Sequence, residues 1–122
     1  MDISREIAEL KKKPGFTEKV GMVLVHNGVV RARSRQGGHA VERLEVHPDQ
    51  AKIEAICKEL SQKPGIFTVM AEAKSGVFTP GDDLLFIIVA GDIRENVSPI
   101  LLEALNRIKA EAIGKTEHLS VS

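Results

Sequence analysis

Residues 78–109, FTPGDDLLFIIVAGDIRENVSPILLEALNRIK, are the stretch around which the rest of the sequence is organised. Pro80 and Gly81 stand where a tight turn needs a fixed φ followed by a permissive one. Residues 84–90 then form an unbroken apolar run rich in Ile, Val and Phe. Such a run is too short to cross a membrane, and it is typical of a buried strand at the centre of a sheet.

The second half of this stretch has the period of a helix. Its apolar residues share one face, while the charged and polar residues fall elsewhere. The apolar face holds Val97, Leu101, Ala104, Leu105 and Ile108. The helix can begin at Asp92, because Asp92 and Glu95 have capping-box spacing, or at Ser98 with Pro99 at the first helical position. The sequence leaves both starts open.

The remaining elements follow from periodicity and from turn residues. Helices are predicted over residues 2–13 and 48–62, and strands over residues 20–33, 40–46 and 66–73. Residues 115–122 can form a last edge strand through Leu119 and Val121. The order α-β-β-α-β-β-α predicts a single domain over residues 1–122. Its fold class is α+β, with helices packed on a mostly antiparallel or mixed sheet.

Composition limits the class of protein. The 122 residues include 17 basic and 17 acidic side chains, so no net charge attracts nucleic acid or an anionic membrane. There is no Trp or Tyr to stack on bases. The single cysteine, Cys57, fits a reducing compartment and falls in the buried stripe of a predicted helix. Without a transmembrane or signal-peptide stretch, we expect a soluble, cytoplasmic protein that binds neither nucleic acid nor membrane.

An arginine-rich loop follows the first predicted strand. Arg31, Arg33 and Arg35 lead into a glycine pair at residues 37–38. Such a cluster could bind a phosphate, but an exposed hairpin loop with solubilising charges would have the same composition. Within the strand, Gly28 predicts a β-bulge or a close backbone approach.

Motifs for several other chemistries are absent from the sequence. It contains neither a phosphate-binding loop of the Walker type, nor a dinucleotide fingerprint, nor a nucleophile elbow. The histidines lack the spacing and the cysteine partners of a metal site, and no cofactor is predicted. Asp82 and Asp83 follow a Pro-Gly turn and are interpreted as turn formers rather than as an acid/base pair.

Four motifs together resemble those of the large, catalytic subunit of molybdopterin synthase, from residue 21 to about residue 118. They are the strand GMVLVHNGVVR at residues 21–31, the LE and HP pairs at residues 44–48, the PGD turn at residues 80–82 with its strand running on to Arg94, and the long helix that carries Lys109. Their order and spacing carry the resemblance.

The resemblance implies an α/β-hammerhead fold and a homodimer. It also implies that a small ubiquitin-like subunit inserts its thiocarboxylated Gly-Gly tail into each large subunit, and that two sulfurs are transferred to a cyclic pterin monophosphate in molybdenum cofactor biosynthesis. This chemistry needs cations for the phosphate and a lysine as acid, base or transient covalent partner. The matching positions are Arg31 and Arg94 for substrate binding, Lys109 as the catalytic amine and Lys115 as a second amine.

The chain also departs from the family pattern. Ile93 stands where the family has a histidine, Thr116 aligns with its second lysine next to Lys115, and His26 stands where it has an aromatic residue. Neither Ile93 nor Thr116 can replace the proton transfer or the charge of the family residue. The alternative function is therefore a non-catalytic dimeric relative that binds an anionic ligand or a protein tail.

Helix geometry adds an expectation about assembly. If Arg94 and Lys109 lie on one helix, they are roughly 22 Å apart at about 1.5 Å per residue. They could not both grip one small phosphate, so a site that uses both requires two chains, as in a symmetric dimer.

Overall fold

The computed structural model describes residues 1–34 and 37–119, and the structural statements that follow concern these residues. In chain order the elements are α1 (Ile3–Lys11), α2 (Phe16–Lys19), β1 (Met22–Val29), β2 (Val41–Pro48), α3 (Gln50–Leu60), β3 (Ile66–Ala73), β4 (Gly76–Phe78), β5 (Asp83–Gly91), α4 (Arg94–Glu111) and β6 (Ile113–Leu119). The predicted last strand forms as β6, although Val121 lies outside the described residues. The short elements α2 and β4 were not predicted.

The strands form two three-stranded sheets, in the orders β1-β5-β3 and β4-β2-β6. Every strand pairing among the described residues is antiparallel. The central strand of the first sheet is β5, whose residues from Leu85 to Gly91 are all buried. The α+β prediction is thus confirmed, with antiparallel rather than mixed sheets.

Helices α3 and α4 cover one face of the first sheet and form the main hydrophobic core with it. Its most deeply buried members are Ile53, Leu60, Ile87, Val89, Val97, Ala104 and Ile108. Burying one large apolar side chain contributes roughly 1.5–3 kcal/mol, so this cluster is the main stabilising contact. Cys57 lies within it as predicted, and burial, with a smaller effect of Glu54, raises the pKa of its thiol to about 11. Such a thiol is not a nucleophile at neutral pH.

A smaller cluster joins the two sheets. Val30, Leu44 and Val46 are its buried members, and half-buried side chains including Leu84 and Ile113 pack against it. Because Leu84 belongs to β5 and Leu44 to β2, this cluster fixes the second sheet against the first.

Two predicted backbone features form as expected. In the turn before β5, the Asp82 N–H donates to the Thr79 carbonyl at 3.0 Å, and the Asp82 carboxylate accepts from the Thr79 N–H at 2.9 Å. Gly81 supplies the positive φ, 96°, that this turn requires. Asp82 is therefore a turn former. In β1, the register shifts between Gly28 and Val29, as in a β-bulge.

Helix α4 begins at neither predicted residue. Its first helical residue is Arg94, its N-cap is Ile93, and Pro99 lies inside the helix. Asp92 nevertheless stabilises this start from one residue further out. Its carboxylate accepts hydrogen bonds from the Asn96 side-chain amide at 2.9 Å and from the Ile93 N–H at 2.6 Å. These two bonds lower the pKa of Asp92.

Close backbone packing fixes this start of α4. A Cβ on Gly91 would lie 2.6 Å from the Gly65 carbonyl oxygen and 2.7 Å from a methyl carbon of Val97. The Asp92 N–H donates to the same Gly65 carbonyl at 2.9 Å. A Cβ on Gly21 would overlap the Asp92 carbonyl oxygen. We call this group the glycine junction. Its members are Gly21, Gly65, Gly91 and Asp92, and each of the three glycines lies too close to neighbouring atoms to carry a Cβ.

Candidate functional site

A cavity of about 360 Å³ opens at the opposite, C-terminal end of α4. Its volume is in the range of small-molecule sites. The charged side chains that line it are Arg31, Arg33, Lys109, Lys115 and Glu117. Its apolar wall comes from the smaller hydrophobic cluster, including Val30, Leu44 and Val46. The excess of cations makes the cavity suited to an anionic ligand.

The β-bulge and the Pro-Gly turn position the arginines. The Val30 N–H donates to the Asp82 carbonyl at 2.9 Å, and the Gly81 N–H donates to the Val30 carbonyl at 2.9 Å. These bonds hold Val30 buried against the turn, so the next residue, Arg31, is exposed at the cavity. Arg33 lines the same cavity.

The pairing of β2 with β6 decides which residue of β6 reaches the cavity. Lys115 pairs with Val46, and Thr116 pairs with Glu45. Because side chains alternate along a strand, Lys115 lines the cavity and Thr116 faces the other way. On that other face the His118 Nε2 lies 2.8 Å from Glu45 Oε1. Lys115 is therefore the lysine of β6 that the cavity can use.

Lys109 and His26 meet in the cavity wall. Lys109 is exposed in the last turn of α4, where the helix dipole favours a cation. His26 on β1 also lines the cavity. Burial lowers the pKa of His26, and the nearby Lys109 ammonium lowers it further, so the imidazole is neutral at pH 7. Sequence reasoning treated His26 only as a departure from a family pattern and missed it as a cavity residue.

Arg94 lies apart from the other predicted site residues. It begins α4, its side chain is 83% exposed, and its Nε lies 3.2 Å from Glu95 Oε1. It is outside the described lining of the cavity. One chain therefore brings together Arg31, Lys109 and Lys115, whereas Arg94 remains at the far end of the helix.

The structure bears on both interpretations of the arginine-rich loop, as a phosphate-binding cluster and as an exposed hairpin loop. Arg31 and Arg33 contribute charge to the cavity, as the phosphate-binding interpretation requires. The loop is also a hairpin, with Arg33 bridging Ala40 and the Ser34 N–H donating to the His39 carbonyl at 2.7 Å. Arg35 lies outside the described residues.

Two other features are absent from the described residues. These residues contain no cluster of three or more His, Cys, Asp or Glu side chains that could hold a metal ion. Nor does any helix among residues 1–34 and 37–119 have the length and apolar character to cross a membrane.

The chain is similar in sequence to known proteins over most of its length. The family described as "MoaE protein" matches residues 1–111. A probable molybdopterin synthase from Haloferax volcanii is 25% identical over 109 residues, which are 86% of this chain and 42% of that protein. The chain thus spans less than half the length of this curated relative.

Solved structures show the same fold. Molybdopterin synthase from Staphylococcus aureus superposes with a TM-score of 0.72 at 26% identity, covering 84% of this chain and 77% of that chain. A complex of subunits 1 and 2 of molybdopterin-converting factor from Helicobacter pylori contains a chain with a TM-score of 0.67 at 17% identity. This match covers 98% of the present chain and 80% of the Helicobacter pylori chain.

Proposed function

The chain belongs to the MoaE protein family, and from that premise we propose that it is a large subunit of molybdopterin synthase. In this reaction two sulfurs, one from each of two thiocarboxylated small ubiquitin-like subunits, pass to a cyclic pyranopterin monophosphate in molybdenum cofactor biosynthesis, and each tail is left as a carboxylate. The observation that carries the proposal is that Arg31, Lys109 and Lys115 all line the cavity at the end of α4. A sulfur transferase needs this combination of an anion site and amines.

The arginines are the proposed phosphate ligands. A guanidinium group can donate two parallel hydrogen bonds to a phosphate, which orients the substrate as well as holding it. Arg31 stands at the cavity beside buried Val30, so its backbone position is fixed. Arg33 adds a second guanidinium from the same segment.

The lysines are the proposed catalytic groups. Replacing oxygen by sulfur passes through negatively charged oxygen species, and an ammonium within the cavity stabilises such charge. An amine can also transfer protons or bond transiently to a carbonyl carbon. Lys109 is the principal candidate because α4 directs it into the cavity beside His26, and Lys115 from β6 is the second.

The proposed partners are a small subunit and a second copy of this chain. The Helicobacter pylori structure is described as a complex of two subunits, which supports a small-subunit partner here. Arg94 supports a homodimer, because it can serve substrate only in a cavity other than that of its own chain. The reducing compartment indicated by the single cysteine makes the cytoplasm the proposed location.

A non-catalytic dimeric relative is the second candidate. Ile93 favours it, since an exposed apolar side chain next to Arg94 cannot transfer a proton. Thr116 adds little to this argument, because it faces away from the cavity while Lys115 lines it. This candidate would bind a pterin phosphate or a protein tail without turnover.

The test is product formation by purified protein mixed with thiocarboxylated small subunit and pterin precursor. We expect wild type to form the dithiolene and Lys109→Ala to be slower by about 100-fold or more. Lys52→Ala, an exposed lysine of α3 outside the cavity lining, is the matched control and should be unaffected. Full activity of Lys109→Ala would contradict the proposal. Tight binding of the precursor by wild type without product would favour the second candidate.

A further inference from the structure

His26 is a polar side chain in the cavity wall that the proposed function does not yet use. It pairs with Ile87 of β5, so it lies on the side of the sheet that α4 covers. Its Nε2 is buried and has no hydrogen-bond partner among the described residues. Buried polar atoms without a partner are uncommon in folded proteins, and each calls for a physical reason.

The absence of a side chain at Gly28 leaves a small space beside the buried Nε2. A Cβ on Gly28 would lie 3.1 Å from Nε2, which is tighter than ordinary contact. The β-bulge at this glycine therefore keeps space beside the imidazole that any other residue would fill. The cavity lining includes both residues, so this space belongs to the cavity.

The charges around His26 oppose its protonation in the empty cavity. Lys109 is the cation close enough to lower its pKa, and Arg31, Arg33 and Lys115 line the same cavity together with Glu117. Four cations against one carboxylate disfavour another positive charge. The lowered pKa of His26, caused by burial and then by Lys109, agrees with this arrangement.

We propose that an oxyanion such as a phosphate monoester enters the cavity together with a proton, which binds to His26. The anion offsets the surrounding positive charge, and one of its oxygens accepts the hydrogen bond that Nε2–H would otherwise lack. The inference rests on the proposed function, which makes this cavity an anion site, and adds His26 as a residue that positions the anion.

The sign of the pH effect follows from linkage. Anion binding raises the pKa of His26, so the complex holds more protons than the free protein between the two pKa values. Binding is tightest below the pKa of the free protein, and the gain is lost as the pH rises through the pKa of the complex. A rise of one pKa unit would make the affinity about tenfold higher at low pH.

Calorimetry with sulfate tests this coupling on the full chain. Sulfate is a suitable probe because it stays dianionic from pH 5 to 8 and so contributes no protons of its own. In buffers with different ionisation enthalpies, we expect wild type to take up protons on binding sulfate, and to bind more tightly at pH 5.5 than at pH 8, by up to about tenfold for each unit by which the pKa rises. His26→Gln should bind sulfate without the His26-linked uptake and with a flatter pH dependence.

Two further variants complete the design. His47→Gln removes an exposed histidine of β2 outside the cavity lining and should behave as wild type. His26→Phe, which keeps a ring of similar size, should reproduce the result of His26→Gln. If neither His26 variant folds, NMR titration of the wild-type histidines with and without sulfate replaces them, and one cavity histidine should titrate at higher pH when sulfate is bound.

Each contrary result has a defined meaning. Sulfate binding by wild type without proton uptake, or unchanged uptake in His26→Gln, overturns the inference about His26 but leaves the proposed function intact. Failure of wild type to bind sulfate overturns the inference as well. The proposed function itself fails only in the separate assay, if wild type with its small subunit forms no product or if Lys109→Ala keeps full activity.

Discussion

The two ends of α4 differ in their packing and in the surroundings of their cations. At its start, the glycine junction brings backbone against backbone, and the cation there, Arg94, projects into solvent. At its end, the chain leaves a cavity of about 360 Å³, and the cation there, Lys109, lines it. The same helix thus has one end that excludes side chains and one end that collects charge.

This difference predicts how substitutions will act. At the closed end, an added methyl group meets backbone atoms that cannot move aside, so the effect falls on folding stability. At the open end, removing a charge changes no packing, so the effect falls on binding and catalysis. Substitutions at the closed end should therefore change stability, and substitutions at the open end should change activity.

The largest expected effect concerns whether the two ends meet across a dimer. Lys109→Ala and Arg94→Ala should each reduce sulfur transfer by about 100-fold or more. If each site combines Lys109 of one chain with Arg94 of the other, mixing the two variants after dissociation should restore about a quarter of wild-type activity. This follows because half of the dimers are mixed and each has one intact site.

The control for this experiment is a mixture of Arg31→Ala with Lys109→Ala. Both residues line the cavity of one chain, so a mixed dimer has no intact site and should stay inactive. Recovery in this control, or none in the first mixture, would mean that the two ends of α4 do not cooperate as proposed.

A smaller effect is expected from a methyl group at the closed end. Gly91→Ala places a Cβ 2.6 Å from the Gly65 carbonyl oxygen, and should lower the free energy of unfolding by about 3 kcal/mol in urea titrations. The matched control at the open end is Gly114→Ala, whose Cβ would meet nothing nearer than 3.6 Å. Equal losses in the two variants would remove the distinction between the ends.

The smallest effect is pH-dependent and comes from Asp92, which lies just before α4. The pKa of Asp92 is lowered in the folded protein, so its stabilising contribution is present above pH 3.8 and is lost as the pH falls through the folded value. Asp92→Asn should lower Tm by a few degrees at pH 7, and this loss should shrink as the pH falls below 3.8. Glu95→Gln, which removes a charge in the first turn of α4 and its exposed ion pair with Arg94, should lower Tm by less at pH 7.

The parts of the fold that sequence predicts are those with local signals. The apolar run of β5, the Pro-Gly turn and the bulge at Gly28 each follow from residue type and spacing. Helix α2 and strand β4 are too short to show a period, with four and three residues. Helix-capping rules predict that α4 starts at Asp92 or at Ser98. The observed N-cap, Ile93, makes no side-chain cap bond, because the tertiary contacts of the glycine junction set the boundary.

The candidate site was likewise predictable from sequence only in part. Arg31, Lys109 and Lys115 were identified from the family resemblance, but their meeting depends on the pairing of β2 with β6, which no local pattern encodes. Arg33 was noted only as part of a basic loop. His26 was missed as a site residue, because one polar residue in an apolar strand does not indicate what its face of the sheet will meet.

The register between β2 and β6 also bears on how the molecule folds. Pairing Val46 with Lys115 joins segments that are far apart in the chain, and such contacts form slowly because a long loop must close first. An intermediate with only the β1-β5-β3 sheet and its two covering helices would have the main core but lack part of the cavity wall. Opening of the terminal strand alone could therefore abolish ligand binding while leaving the main core folded.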